Sequence, residues 1–399
     1  MNIELIRNDF PILKTKVGGH QIVYFDNAAT TQRPLPVVNA VLDYTTHENG
    51  NPHRGAHIFA ISASEAYDTS KEVVRDFIHA RSEKEIIYTR NTSESLNLVA
   101  RSYGETHLKA GDHILITIAE HHSNLVTWQR VAQKTGATLD YIYVDKETGH
   151  FPEEELKKID DPRVKLFAFA EVSNVLGIDF DPKPLIQRAH AHGAIVVLDG
   201  AQSTPHKPVD VQDLDCDFFA FSGHKMCSMG GIGVLYGKEE ILNDMEPFLM
   251  GGDMIEDVHE QETTYAELPA KFEAGTQYVE GAVSLVAAIR YIQAIGFDEI
   301  RAQEKRLVTR CLEGMKKLPF IHIIGPTDPE EKEGLVAFEV EGVHPHDVAQ
   351  ILSAEGICIR TGHHCAQPLH IYLGINASCR CLLYTYPSPR DSTSSRMPS

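Results

Sequence analysis

The feature that most constrains the fold is a regular alternation of short apolar segments with helical segments between residues 60 and 240. Several of the apolar segments are near-continuous runs, which is typical of strands that are covered on both faces. Strands that alternate with helices form parallel sheets flanked by helices. The predicted strands are 85–88, 113–118, 138–143, 166–170, 194–198, 218–221 and 233–236, and helical spacing covers 64–80 and 182–192. The pattern therefore predicts an α/β fold with a mainly parallel seven-stranded sheet.

The length of the chain predicts two domains. A single hydrophobic core stops growing at roughly 250 to 300 residues, and this chain has 399. The region 281–318 is mostly helical in pattern, and 335–340, 346–355 and 357–360 follow as strand, helix and strand. We predict a large domain at 21–285 and a smaller α+β domain at 286–380. Residues 1–20 are expected to form an N-terminal segment that packs with the small domain.

The C-terminal residues depart from this pattern. After Arg380 the hydrophobic periodicity stops, and residues 381–399 are rich in Ser, Pro and Arg. Such a composition does not bury enough apolar surface to fold. We predict that 381–399 is an atypical, disordered tail that is foreign to the fold.

Composition excludes several classes of protein. The net charge of -19 repels phosphate backbones, and no run of Lys and Arg reverses it locally, so nucleic acid is not an expected partner. No apolar run approaches the roughly 20 residues that span a bilayer, and the N-terminus lacks a signal-peptide pattern. The seven cysteines form neither a disulfide framework nor a paired zinc motif. We therefore expect a cytoplasmic enzyme with no membrane attachment.

A carboxylate and a lysine follow two neighbouring predicted strands. Asp199 ends the run AIVVLD (194–199), and Lys225 closes SGHK (222–225) after the next strand. Ligands of open α/β sheets lie at the carboxyl ends of the strands. A pyridoxal-phosphate site needs a lysine that bonds to the cofactor and an aspartate that keeps the pyridine nitrogen protonated. Alone, Asp199 is an ordinary capping residue and Lys225 a surface charge, but the pair predicts pyridoxal phosphate.

The same cofactor needs a phosphate site, which is best supplied by the N-terminus of a helix. Thr92 and Ser93 open a predicted helix directly after a strand end. By itself such a segment is an ordinary helix cap. Joined to Lys225, it predicts a phosphate site completed by Ser222 and His224.

Two histidine pairs also lie next to predicted strands. In EHHSN (120–124) at least one histidine reaches the ligand crevice, and stacking or proton relay fits better than a metal, for which no third ligand has the usual spacing. In RTGHHCA (360–366), Cys365 lies on a loop beside two imidazoles, an electropositive and accessible setting that favours thiolate. Zinc binding competes with a nucleophilic or sulfur-carrying role for Cys365, and the second role is favoured. No metal site is predicted.

These motifs resemble those of the SufS-type (group II) cysteine desulfurases, which are fold-type I, class V aminotransferase-like enzymes. The resemblance runs from about residue 5 to 380, and RTGHHCA is similar to the short cysteine loop of this branch rather than the longer loop of the IscS branch. It is carried by FDNAAT (25–30), HRG (53–55), EHHSN (120–124), VSNVLG (172–177), DGAQ (199–202), SGHK (222–225), FEAGT (272–276) and RTGHHCA (360–366).

The resemblance implies a role for each matching residue. Lys225 bonds to the cofactor, Asp199 pairs with its pyridinium nitrogen, His121 stacks on its ring and Gln202 bonds to its phenolate oxygen. The implied phosphate ligands are Thr92, Ser93, Ser222, His224 and, from the second subunit of a homodimer, Thr276. The implied ligands of the substrate carboxylate are Asn174, Arg380 and, nearby, Arg360.

The resemblance also implies an activity, the conversion of L-cysteine to L-alanine with sulfur held as a persulfide on Cys365. The persulfide passes to a SufE-like or SufU-like acceptor for iron–sulfur cluster assembly, and His346 either contacts that acceptor or is a plain capping or surface residue. One alternative is a selenocysteine lyase or cysteine-sulfinate desulfinase with the same cofactor residues. A second is a cofactor-binding protein that is catalytically impaired by its altered C-terminus.

One motif departs from the family pattern. Lys225 is followed by MCSMGG (226–231), where the family has Tyr-Gly-Pro. The two glycines keep the turn flexible, so Lys225 is expected to remain in place. Cys227 is expected to be a packed thiol rather than a second reactive one.

Overall fold

The structure is a computed structural model, and it describes residues 2–383. Its elements are numbered in chain order. The strands β1 to β17 are Lys16–Val17, His20–Gln21, Val23–Tyr24, Ile86–Thr89, His113–Thr117, Thr138–Ile142, Val164–Ala170, Ile195–Asp199, Phe218–Ser222, Gly233–Gly237, Ile255–Val258, Thr263–Tyr265, Ile321–Ile324, Leu335–Val340, Ile357–Cys358, Arg360–Gly362 and Ser378–Leu382. The α-helices α1 to α14 are Ile3–Asn8, Leu35–His47, Ile58–Ile78, Thr92–Val99, Glu105–His107, Val126–Thr135, Glu153–Leu156, Pro182–Ala191, Val211–Leu214, Glu239–Asp244, Val279–Ile295, Phe297–Met315, Pro345–Ala354 and Gln367–Leu373.

The central element is a seven-stranded sheet with the strand order β4-β10-β9-β8-β7-β5-β6. Strand β10 runs antiparallel to both of its neighbours, and the other pairs are parallel. Successive residues of β7 face opposite sides, so that Phe167 and Phe169 enter one apolar core while Leu166 and Ala168 enter the other. Because both faces are covered, the inner strands are mostly apolar, and the predicted mainly parallel seven-stranded sheet is confirmed.

The region 281–318, predicted to be mostly helical, consists of two helices. α11 and α12 meet at Gly296, whose φ of +88° is in the left-handed region, and they are bent by 75°. Ile289 and Ile292 of α11 belong to the same core as the large sheet. The predicted domain boundary between residues 285 and 286 lies within α11.

Membrane-spanning potential was assessed over the described residues. Within this range no single helix has the length and apolar composition to cross a membrane. The bent pair α11 and α12 meets these criteria when its two helices are taken together. Since α11 packs in the core beside the large sheet, its apolar composition is accounted for by that packing.

The C-terminal part of the described chain forms a four-stranded antiparallel sheet with the order β13-β14-β17-β16. Helix α12 covers it, with Leu307 and Leu312 packed against Phe338. The prediction that the tail begins at residue 381 is wrong for Cys381 and Leu382. These two buried residues continue β17 and pair with β14. Cys381 packs with Leu307 and Phe338, and Leu382 packs in the core beside the large sheet. Residues 384–399 of the predicted tail lie outside the described residues.

The N-terminal part of the chain contacts elements beside the four-stranded sheet and elements beside the seven-stranded sheet. His20 lies 3.5 Å from Glu355 in an ion pair, and strand β3 pairs in parallel with β15. On the other side, the backbone carbonyl of Asp9 accepts a hydrogen bond of 2.7 Å from Leu35, and Phe10 is fully buried in the core beside the large sheet. The segment therefore joins the small sheet to the helices of the large one, and the predicted division into domains stays a prediction.

Candidate active site

The largest concentration of predicted site residues surrounds a cavity of about 210 Å³. It lies at the carboxyl ends of β7, β8 and β9, where parallel strands of an open sheet place their ligands. The β16–α14 loop and β17 contribute the opposite wall. The predicted residues that line it are Thr92, Ser93, His121, Asn174, Asp199, Gln202, Ser222, His224, Lys225, Arg360, Cys365 and Arg380.

Asp199 and Lys225 are the central pair of the cavity. Asp199 is the last residue of β8, is 5% exposed and accepts a hydrogen bond of 2.9 Å from the backbone N–H of Ala201. Burial lowers the pKa of Lys225 to about 8, against the opposing effect of the Asp199 charge and with a further lowering by Arg380. Burial raises the pKa of Asp199, and the Lys225 charge opposes that rise. Lys225 therefore has a readily accessible neutral amine near physiological pH.

The N-terminus of α4 forms one end of the cavity. Asn91 caps the helix by accepting a hydrogen bond of 3.0 Å from the backbone N–H of Glu94. The hydroxyls of Thr92 and Ser222 lie 2.7 Å apart. Burial lowers the pKa of His224 to about 4, so its ring is neutral and retains an N–H donor. Hydroxyls and backbone N–H groups at the positive end of a helix are a donor set that fits a phosphate group.

His121 lines the cavity as a neutral imidazole. Burial, followed by the charge of Lys225, lowers its pKa to about 3. Its Nδ1 accepts a hydrogen bond of 3.1 Å from the backbone N–H of Ser123, which leaves the ring proton on Nε2. The Nε2 of Gln202 donates to the carbonyl oxygen of Ala28 over 3.0 Å. A flat neutral ring and an amide with a second N–H thus face the same space, as the stacking and phenolate roles require.

Cys365 is exposed and lies on the loop between β16 and α14. The Nδ2 of Asn174 donates a hydrogen bond of 2.6 Å to the carbonyl oxygen of His364, and the backbone N–H of His122 donates one of 2.6 Å to the carbonyl oxygen of Cys365. The thiol-bearing loop is therefore attached by polar contacts to segments that end the strands of the large sheet.

Two arginines provide the positive charge beside this loop. Arg380 on β17 is 3% exposed and donates a hydrogen bond of 2.9 Å to the carbonyl oxygen of Asn174. Arg360 is exposed, and the guanidinium groups of both arginines lie 3.8 Å from the carboxylate of Asp26. Two cations that flank one cavity wall form a site for a carboxylate ligand.

The expected source of positive charge on the loop is wrong for one imidazole. Burial, followed by the charge of Arg380, lowers the pKa of His364 to about 2, so this ring is neutral at physiological pH. It lies 2.9 Å from the hydroxyl of Ser378. The sequence pattern treated His364 as a cation because it does not reveal that the side chain is buried.

The chain matches a known protein family. The model of the aminotransferase class-V family matches residues 23–391. The chain belongs to this family. The match confirms the predicted class V resemblance, whereas the narrower assignment to the SufS-type branch stays a prediction.

Curated relatives of this class-V chain cover nearly its whole length. A Halalkalibacterium halodurans protein named probable cysteine desulfurase is 47% identical over 391 residues, which is 98% of this chain and 95% of that protein. A Synechocystis sp. protein of the same name is 45% identical, over 96% of this chain and 91% of its own. The apo cysteine desulfurase of Thermococcus onnurineus is 43% identical and superposes with a TM-score of 0.91 over 96% of this chain and 94% of its own. These likenesses confirm the predicted fold.

Thr276 is the one predicted cofactor ligand of the class-V chain that does not line the cavity. It is exposed on the loop before α11. The resemblance assigns it to the site of a second copy of the chain, so its role stays a prediction.

Three residues near the cavity were not assigned a role from the sequence. Asp26 lies between Arg360 and Arg380. The sequence feature that could have identified it as a site residue is its place in the FDNAAT motif (25–30). Glu120 is fully buried and accepts hydrogen bonds from Thr117 and Asn124, and burial raises its pKa to about 8. His122 contacts the cysteine loop. Its neighbour His121, the first histidine of the pair in EHHSN (120–124), was assigned the stacking role instead.

The departure from the class-V pattern after Lys225 leaves the lysine in the cavity. Cys227 is fully buried, and burial raises the pKa of its thiol to about 12. It is therefore a packed thiol, as expected. Within residues 2–383, no three His, Cys, Asp or Glu side chains are grouped as metal ligands.

Proposed function

We propose that this chain is a pyridoxal-phosphate-dependent cysteine desulfurase that converts L-cysteine to L-alanine and retains the sulfur as a persulfide on Cys365. One observation carries the proposal: Lys225, with its pKa lowered to about 8, and the exposed Cys365 line the same cavity. The names of the relatives, at 43–47% identity over nearly the whole chain, support it.

The cavity residues fit pyridoxal phosphate. Lys225 would bond to the cofactor, Asp199 would hold a proton on its ring nitrogen, and His121 would lie against its ring. Gln202 would bond to its phenolate oxygen, and the phosphate ligands would be Thr92, Ser93, Ser222 and His224. When bound, the cofactor supplies a sink for the electrons that are left when the Cα proton of the substrate is removed.

The chain's own residues bind the substrate and move its proton. Arg380 and Asn174 hold the carboxylate, with Arg360 beside them, so that the Cα–H bond is oriented towards Lys225. The neutral amine of Lys225 takes the Cα proton, as its lowered pKa permits near neutral pH. The positioned amine, rather than water, is then the base.

Cys365 acts at the other end of the substrate. Its thiolate sulfur attacks the sulfur of the bound cysteine, a new S–S bond forms, and the Cβ–S bond breaks. The carbon keeps the bonding electrons and takes a proton, which gives the methyl group of alanine.

Finer features of the proposal rest on the resemblance. The chain is proposed to act as a SufS-type homodimer in which Thr276 reaches the phosphate of the second copy's cofactor. The proposed acceptor of the persulfide is a SufE-like or SufU-like protein in iron–sulfur cluster assembly, with exposed His346 near the contact surface. Seven free cysteines suit the reducing cytoplasm in which such an enzyme would work.

The test is the release of alanine and sulfide from L-cysteine, with added pyridoxal phosphate and a thiol reductant, by the intact chain and by Cys365→Ala. Equal amounts of both products from the intact chain, and their loss in the variant, are expected. A variant that loses activity on cysteine but keeps it on selenocysteine supports the sulfur-transfer role of Cys365. Bound cofactor without either product from the intact chain would contradict the proposed activity.

A further inference from the structure

The loop that carries Cys365 has a backbone that needs outside support. His364 and Cys365 have φ values of +51° and +57°, in the left-handed region that non-glycine residues rarely adopt. Two consecutive residues in this region persist only when surrounding contacts hold them. The contacts of this loop with the large sheet therefore decide where the thiol lies.

His122 makes two of these contacts. Its backbone N–H donates a hydrogen bond of 2.6 Å to the carbonyl oxygen of Cys365. Its Nε2 accepts a hydrogen bond of 3.0 Å from the backbone N–H of Gln367. The residue thus holds the chain at the cysteine itself and again two residues later, on either side of Ala366.

The second contact supplies a helix cap that the loop lacks. Helix α14 begins at Gln367, and its N-cap residue, Ala366, makes no side-chain cap hydrogen bond. Pro368 carries no backbone N–H, so Gln367 has the first amide of the helix that needs an acceptor. The imidazole of His122 provides this acceptor.

His122 itself stands on a rigid support. It begins a short 3-10 turn that ends at Asn124. The amide of Asn124 donates to Glu120 over 2.7 Å and accepts from the fully buried Trp128 over 2.9 Å. Burial and the nearby His363 lower the pKa of His122, which keeps its Nε2 free to accept.

We propose that His122 is a positioning residue that fixes Cys365 for attack on the substrate sulfur by capping α14 through its Nε2. The inference rests on the proposed desulfurase function. His122 does not line the cavity, so its effect passes through the loop rather than through the cofactor or substrate. Asn174 also holds the loop, but it lines the cavity, and its substitution would mix the two effects.

The test uses the full-length holoenzyme with three substitutions. His122→Ala and His122→Phe remove the acceptor, the second while keeping a ring, and His122→Gln retains an acceptor at a similar reach. His150→Ala, at an exposed site outside the cavity, is the matched control. Deuterium exchange of the 366–373 segment reports the helix cap, and single-turnover formation of the Cys365 persulfide reports the positioning. The visible absorbance of the bound cofactor shows whether the cofactor site is unchanged, and the KM for L-cysteine shows whether substrate binding is unchanged.

We expect amide exchange at the start of α14 to be about tenfold faster in the Ala and Phe variants, as the loss of one hydrogen bond implies. Persulfide formation should slow by about tenfold to a hundredfold, the usual consequence of a misplaced reacting group. Cofactor absorbance and KM should stay unchanged, and His122→Gln should recover most of both losses.

Three results would overturn the inference. They are unchanged exchange in both acceptor-free variants, faster exchange with unchanged persulfide formation, and a Gln variant that behaves like the Ala variant. Failure of the underlying function is distinguishable, because the unsubstituted enzyme would then form no persulfide while the exchange measurement still reports the cap.

Discussion

The two walls of the cavity are built in different ways. On one side, Asp199 and Lys225 follow buried strands whose backbones are hydrogen-bonded to neighbours on both sides. On the other side, the exposed Cys365 lies on a loop with a left-handed backbone that is held by a few polar contacts. In the proposed function, proton transfer takes place at the rigid wall and sulfur capture at the loop. A persulfide on an exposed loop also remains accessible to an acceptor.

The largest expected effect tests the rigid wall. Lys225→Ala removes the amine that moves the Cα proton, so alanine formation should fall by about 10⁴-fold, the upper range for a general base. Lys109→Ala, at an exposed site outside the cavity, is the control. Steady-state assays of alanine check the result. Substantial turnover in Lys225→Ala would show that the base lies elsewhere.

The second prediction concerns the pKa of Lys225 in the cofactor-free chain. Acylating reagents attack the neutral amine, so labelling should increase as the pH rises through about 8. An exposed lysine, with its pKa of roughly 10.4, has about 10²-fold less neutral amine at pH 7. Competitive labelling with acetic anhydride, read by mass spectrometry, gives the pH midpoint of labelling for Lys225 and for an exposed lysine. Asp199→Asn should move the Lys225 midpoint lower still, because the Asp199 charge raises it. A midpoint near 10 would contradict the electrostatics of the rigid wall.

The third prediction separates the two arginines. Arg380→Lys keeps the charge but loses the planar donor fork, and Arg380 is nearly fully buried. The KM for L-cysteine should rise by about tenfold, as expected for losing one charge-assisted hydrogen bond. Arg360→Lys, at an exposed position, should raise it by only about twofold to threefold. Equal effects of the two substitutions would remove the distinction between a buried and a peripheral carboxylate ligand.

The smallest effect is expected at the second cysteine near the site. Cys227 is packed with its thiol protonated, so Cys227→Ala should leave turnover within about twofold. Removing a small buried side chain should lower stability by about 1 kcal/mol, which a thermal melt would register. A large loss of turnover with an intact melt would show that the thiol takes part in the reaction.

Sequence reasoning succeeded where a local pattern has a fixed spatial consequence. The apolar runs that end at Asp199 and before Lys225 predicted parallel strands, and parallel strands bring their carboxyl ends to one edge. The cavity at that edge is lined by both residues. The bend between α11 and α12 was missed, because a single glycine at 296 does not by itself show that a helix ends.

Features that depend on tertiary packing were not predictable. The pKa of His364 is set by burial, which its neighbours in sequence do not reveal. Continuation of β17 through Leu382 depends on pairing with β14, which overrides the polar composition further on. The contact between His122 and Gln367 joins segments that are far apart in the chain. The role of Thr276 depends on a second copy.

The most direct test of the account is where the sulfur lies after one turnover. The holoenzyme is mixed with one equivalent of L-cysteine without reductant, alkylated and digested, and the peptide that carries Cys365 is weighed by mass spectrometry while alanine is counted. The account predicts one added sulfur on Cys365 for each alanine formed. Alanine without sulfur on Cys365, or sulfur on another of the cysteines, would contradict it.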